Sequence, residues 1–125
     1  MTDATDVLPD LPGIDKVAGL RRMMNKPSLY EKVLRDFHAR FHHETQTLRA
    51  VIDSGDLATA ERLAHSAKGL AGTIGAVGLQ EIALLLERAL HDGDPLWEDY
   101  FAGFEQELTL VLTGIAQGFN ITAEN

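Results

Sequence analysis

Residues 57–90 read LATAERLAHSAKGLAGTIGAVGLQEIALLLERAL, in which helix-forming residues surround a run of glycines. Each glycine inside a helix costs about 1 kcal/mol relative to alanine. A helix that accepts several of them next to a lone histidine and a lysine therefore needs a physical reason. The glycines follow one another at a constant spacing, at Gly69, Gly72, Gly75 and Gly78.

The spacing of apolar residues predicts helices along the rest of the chain. Between residues 28 and 52, apolar side chains recur at steps of three and four with one gap, which indicates an amphipathic helix. No segment alternates apolar and polar residues like a half-buried strand. The predicted helices are a short one at 14–24 and long ones at 28–52, 57–74, 79–90 and 95–119.

Turn-forming residues separate the predicted helices. Ser54, Gly55 and Asp56 end one helix and offer a cap for the next. Asp94 is a candidate cap of the last helix, with Pro95 at its first position. Because these connections are short, successive long helices should be antiparallel neighbours. We therefore predict an all-α fold, an up-down antiparallel four-helix bundle with a short extra N-terminal helix.

The chain length of 125 residues supports one domain. We expect the bundle to span residues 13–120, between a flexible acidic leader at 1–12 and a C-terminal tail at 121–125. The net charge of −8 argues against nucleic acid and anionic membranes, because both need concentrated Lys and Arg.

Three further features bear on location. No apolar run is long enough to span a bilayer, and no basic segment followed by an apolar one opens the chain. The absence of cysteine excludes disulfides and thiol chemistry and fits a cytoplasmic protein.

His65 is the candidate functional residue. On a wheel of about 100° per residue it lies about 160° from the centre of the apolar stripe, so it should face solvent. Gly69 would leave the surface beside the imidazole bare, and Lys68 offers a cation one turn away. For Gly75 and Gly78 we favour close helix packing or a turn. The apolar stripe consists of Ala60, Leu63, Ala64, Ala67, Leu70, Ala71 and Ile74.

The other histidines and the glycines suggest no second chemistry. His38 and His42, four residues apart, could share a metal ion, but a solvated helix surface is the better interpretation. His91 falls in a predicted polar loop without an identifiable partner. The glycine spacing matches neither of the common nucleotide-binding loops.

The pattern A-H-S-A-K-G-x-A-G-x-I-G-A at 64–76, followed by L-x-x-x-A-x-x-L-E-x-A, resembles the signature of the histidine-containing phosphotransfer (HPt) domain. The similarity extends to LPGIDKVAGLRRM and SLYEKVLRDFHARF, so that it covers residues 11–119. Two positions differ from the family pattern: Ala67 stands where leucine is common and Thr73 where asparagine is common.

The resemblance implies a four-helix bundle that relays a phosphoryl group in a two-component phosphorelay. It implies that His65 accepts the phosphoryl group, Lys68 neutralises its charge, Gly69 admits the receiver domain, and Glu87 hydrogen-bonds near the imidazole. Such a protein is a substrate of its partners more than an enzyme, and we expect no autokinase activity.

The implied partner is the receiver domain of a hybrid sensor histidine kinase or of a response regulator. We expect a monomer, because four helices can close one core within a single chain. We expect no cofactor or metal in this chain, because the receiver domain should bind the Mg²⁺ that phosphoryl transfer requires. The alternatives are a helical adaptor that works without phosphorylation and a histidine-dependent metal-binding bundle.

Candidate positions around His65 for docking of the receiver domain are Ala58, Arg62, Ser66, Gly72 and Leu84.

Overall fold

The computed structural model describes residues 4–122. This part of the chain is all-helical, as predicted, and contains no β-strand. A 3₁₀ turn at Ala4–Val7 precedes the α-helices α1 (Lys16–Arg22), α2 (Pro27–Phe41), α3 (Glu44–Asp53), α4 (Leu57–Ile74), α5 (Val77–Asp92) and α6 (Trp97–Gly118).

The hairpin of α4 and α5 forms the most extensive contact between helices. α4 begins after Asp56, whose side chain caps the helix by accepting a hydrogen bond from the Thr59 N–H. It ends at Gly75, whose φ of 85° lies in the left-handed region that glycine tolerates best. Only Gly75 and Ala76 separate the two helices, so α5 returns along α4.

The buried face of α4 consists mainly of small side chains, and the predicted stripe is confirmed. Because alanine projects so little, α5 can approach α4 closely, and large side chains of α2 and α6 fill the remaining core. Tyr30, Phe41 and Phe104 are fully buried there. The buried residues of α4 are Ala60, Ala64, Ala67, Ala71 and Ile74, while Leu63 and Leu70 are half-buried.

Two hydrogen bonds attach α1 and α2 to the end of α4. The Asp15 N–H donates to the Gly75 carbonyl at 2.8 Å, and the Tyr30 hydroxyl donates to the Ile74 carbonyl at 2.5 Å. Burial, together with the charge of Asp15, raises the pKa of Tyr30 against the opposing effect of Arg22, so the hydroxyl remains a donor. The Ile74 and Gly75 carbonyls at the C-terminal end of α4 are thus satisfied inside the protein.

The single helix predicted at 28–52 is instead two helices. α2 ends at Phe41 and α3 begins at Glu44, with His42 and His43 at the bend. The break falls between Phe41 and Leu48, where the apolar pattern of the sequence has its gap. No residue between these two is buried. With no core contact to hold these two turns straight, the chain bends.

The last loop also differs from the prediction. α5 continues to Asp92, and α6 starts at Trp97, so Pro95 lies outside both helices. The Asp94 carboxylate accepts a hydrogen bond from the Leu96 N–H at 2.9 Å. The backbone carbonyl of Asp94 accepts a second one from the Trp97 N–H. Asp94 therefore stabilises a turn before the helix rather than capping the helix itself.

The leader, expected to be flexible, packs on the bundle over its described residues. Leu8 and Leu11 are only 9% and 5% exposed and belong to the core. The domain boundaries at 13 and 120 stay predictions, and residues 1–3 and 123–125 lie outside the described part of the chain. Within residues 4–122, no helix combines the length and the apolar character that a membrane span requires.

Candidate functional site

His65 lies on the outer face of α4, as predicted from the helical wheel. Its side chain is 65% exposed, whereas Ala64 and Ala67 on the opposite face are buried. The imidazole therefore stands on a rigid helix and remains accessible to another protein.

Glu87 on α5 contacts both His65 and Lys68. The His65 Nδ1 lies 2.8 Å from Glu87 Oε2, and the Lys68 Nζ donates to Oε1 at 2.7 Å. The Glu87 and Lys68 side chains are only 18% and 24% exposed. The predicted proximity of Glu87 to the imidazole is confirmed, and its bond to Lys68 is an additional finding.

The surroundings of Glu87 keep its side chain ionised. Partial burial raises the pKa of the carboxyl, but the hydrogen bonds and charges of Lys68 and His65 together outweigh that effect. The net result is a pKa below the ordinary value. Glu87 is therefore a carboxylate at neutral pH and accepts hydrogen bonds from both partners.

This contact determines which ring nitrogen of His65 is available for chemistry. A carboxylate can only accept, so Nδ1 must donate its proton to Glu87. In a neutral imidazole the lone pair then resides on Nε2. The arrangement supplies an exposed nitrogen nucleophile whose tautomer is fixed by a hydrogen bond.

The four glycines that follow His65 lie in different environments. A Cβ at Gly69 would meet nothing within 4 Å, which agrees with an open surface and not with helix packing. At Gly72 it would approach the flexible side chain of Gln80, and at Gly78 that of Glu107. Gly75 makes the turn between α4 and α5, so the turn interpretation is correct for Gly75.

The predicted docking positions surround His65 but differ in exposure. Ala58 and Arg62 are exposed, whereas Ser66 and Gly72 are half-buried. Leu84 is also half-buried, contrary to the prediction of an exposed side chain, because α5 is apolar over a wide face. It lines a shallow depression together with Lys68 and Glu87.

His91 lies in α5 and has a partner, so the prediction of a loop position without a partner is wrong. Its Nδ1 lies 3.1 Å from Glu61 Oε1 on α4. A repeated pattern could have revealed this pair: residues 61–65 read ERLAH and residues 87–91 read ERALH. On two antiparallel helices such repeats place each histidine opposite the glutamate of the other helix.

His38 and His42 lie at the end of α2, with ring centroids 5.7 Å apart. The His42 Nδ1 lies 3.1 Å from the His38 carbonyl, and partial burial and the neighbouring His42 lower the pKa of His38. Within residues 4–122, no three His, Asp or Glu side chains are grouped closely enough to hold a metal ion.

Comparison with models of protein families gives a match to most of the chain. The family model described as the Hpt domain matches residues 32–117, which is more than half of the chain and includes His65, Lys68 and Glu87. Searches of curated proteins and of solved structures found no significant match. The chain therefore belongs to the Hpt domain family, whose members transfer phosphoryl groups on histidine in phosphorelays.

Proposed function

We propose that this protein is a phosphorelay intermediate in which His65 accepts a phosphoryl group from a receiver-domain aspartate. It passes the group to the receiver domain of a response regulator, or back. The observation that carries this proposal is the exposed imidazole whose Nδ1 is held by Glu87 at 2.8 Å. The His65 imidazole, the Glu87 carboxylate and the Lys68 ammonium group form one connected hydrogen-bond network, an arrangement in which functional groups are often found.

The reaction follows from the tautomer of His65. Nε2 attacks the phosphorus of the aspartyl phosphate, an N–P bond forms, and the acyl O–P bond breaks with release of the aspartate carboxylate. The Nδ1 proton stays on the ring, where Glu87 stabilises the developing positive charge. The return step is the reverse of this transfer.

Lys68 is the cation available to the phosphoryl oxygens. In the unmodified protein it donates to Glu87 at 2.7 Å. A phosphoryl group on His65 would compete with Glu87 for the same ammonium group, which can donate three hydrogen bonds. Lys68 thus supplies charge neutralisation for the transferred group, and the bare surface at Gly69 gives the partner room to approach.

The remaining requirements are assigned to the partner. Phosphoryl transfer of this kind depends on positioning and on a divalent cation, which we assign to the receiver domain as Mg²⁺. The protein then acts as a substrate of its partners and has no autokinase activity. It works as a monomer. An up-down arrangement of four main helices around one core is the matching architecture.

The docking surface is the outer face of α4 around His65. It includes exposed Ala58 and Arg62, the half-buried Ser66 and Gly72, and Leu84 at the edge of α5. Most of these side chains are small, so a second protein can approach the imidazole without steric obstruction.

The test is transfer from a phosphorylated receiver domain, with tryptic mapping of the labelled histidine. We expect acid-labile label on His65, and a fall of at least about tenfold in the initial rate for His65→Gln. His43→Gln, at another exposed histidine, should match the native protein. A His65→Gln protein that is labelled at the native rate contradicts the proposal, and no labelling of either protein favours the helical adaptor.

A further inference from the structure

His91 and Glu61 repeat the geometry of His65 and Glu87 on the same two helices. In each pair the imidazole Nδ1 contacts a carboxylate of the opposite helix, at 3.1 Å for His91 and 2.8 Å for His65. The exposed fractions of the two imidazoles are also similar, 70% and 65%.

The repeat has a simple geometrical origin. On α4, Glu61 precedes His65 by one turn, and on α5 Glu87 precedes His91 by one turn. Because the helices are antiparallel, both histidines reach a glutamate across the seam at once. The two segments share the pattern E-R-x-x-H, with leucine and alanine exchanged at the two middle positions.

We propose that His91 is a second phosphoryl-accepting histidine, which takes its phosphoryl group from an acyl phosphate. Glu61 holds the Nδ1 proton, so a neutral ring has its lone pair on Nε2. Nε2 attacks phosphorus, an N–P bond forms, the acyl O–P bond breaks, and the carboxylate of the donor leaves.

The surface around His91 leaves room for such a donor. α5 ends one residue later, at Asp92, and a Cβ on the following Gly93 would meet nothing within 4 Å. Arg88, one turn before His91, is exposed and lines the same shallow depression as His91 and Glu61. It is the nearest cation along the helix for the phosphoryl oxygens.

Two differences make His91 the slower acceptor. No lysine follows it by one turn as Lys68 follows His65, and Asp92 and Asp94 are close in sequence. Their charges, and the C-terminal end of the helix, disfavour an incoming phosphate. We expect acceptance on the order of tenfold slower than at His65, because one charge-assisted hydrogen bond is missing.

The experiment uses the full chain with His65→Gln, so that label on the primary histidine cannot obscure the second. One arm supplies acetyl phosphate, and the other a phosphorylated receiver domain; both donors are acyl phosphates. Tryptic mapping compares His91 with His42 and His43, which are exposed but contact no carboxylate within the described residues. Adding Glu61→Gln removes the charge that activates His91.

The proposal expects His91 to be labelled by acetyl phosphate at least about fivefold faster than His42 or His43, and Glu61→Gln to abolish that advantage. Equal labelling of the three histidines overturns it, as does an advantage that survives Glu61→Gln. If the receiver domain labels His91, the donor is a protein. If only acetyl phosphate labels His91, the donor is a small molecule. Only the experiment with the receiver domain rests on the proposed function. If the proposed function itself is wrong, the receiver domain leaves His65 of the native protein unlabelled.

Discussion

At the scale of single residues, the site depends on one carboxylate with two partners. Glu87 accepts from the His65 Nδ1 and from the Lys68 ammonium group, and its side chain is only 18% exposed. The outward direction of His65 could be predicted from the sequence because it follows from helix periodicity, and its role was implied by the resemblance to the HPt signature. The ion pair with Lys68 could not, because it depends on how α5 is rotated against α4.

Replacing Glu87 by glutamine should lower stability in a pH-dependent way. The pKa of Glu87 is lower in the folded protein than its ordinary value of 4.5, so its charge stabilises the fold above that pH. We expect Glu87→Gln to lower the free energy of unfolding by about 1 kcal/mol at pH 7. The difference should shrink as the pH falls below 4.5 and Glu87 is protonated.

Urea denaturation at pH 7 and in a series below pH 4.5 measures this difference. Glu105→Gln is the matched control, because Glu105 is exposed and has no ion pair within the described residues. A Glu87→Gln effect that is constant over this pH range would show that the carboxylate charge is not responsible.

At the scale of helices, α4 shows why equal spacing of glycines does not mean equal function. Gly69 lies in the middle of α4, and its Cα faces open space on the outside of the helix. Gly75 instead adopts a left-handed conformation in the turn after α4. A Cβ on Gly75 would also lie 2.4 Å from the Asp15 carbonyl oxygen. The first glycine is dispensable for folding, and the second is required by the backbone.

Alanine at these two glycines should therefore have opposite effects. Gly69→Ala should raise the free energy of unfolding by about 0.5–1 kcal/mol, because it gains helix propensity without a clash. Gly75→Ala should lower it by at least about 1–2 kcal/mol through backbone strain and the clash with Asp15. Thermal or urea denaturation of the two variants checks both signs, and a stabilised Gly75→Ala protein would contradict the assigned turn.

At the scale of the whole molecule, the N-terminal segment completes the bundle. Pro12 packs over Gly114 and Pro9 over Gly118, where a Cβ would lie 2.7 and 2.8 Å from the proline rings. Leu8 and Leu11, which precede these two prolines in the chain, are buried in the core. The glycines on α6 are the signal in the sequence that could have predicted this packing.

Leu11→Ala should show that this segment contributes to stability. Loss of a buried leucine side chain costs about 2–5 kcal/mol in well-packed cores, and we expect the lower limit because Leu11 lies in a segment outside the α-helices. Val7→Ala is the control, because Val7 is 62% exposed and its change should stay within about 0.5 kcal/mol. Equal unfolding midpoints for Leu11→Ala and the native protein would show that the segment does not pack in solution.

The sequence by itself determined the helical class, most helix boundaries and the outward direction of His65, because these depend on local periodicity and turn chemistry. The repeated pattern E-R-x-x-H and the glycines of α6 are compatible with the His91–Glu61 pair and with the packing of Leu8 and Leu11. Only the tertiary structure decided these contacts and the pairing of Lys68 with Glu87. Each of these is a contact between residues far apart in the chain, and its geometry is set by how whole helices rotate and cross. Periodicity along one helix contains no information about that rotation.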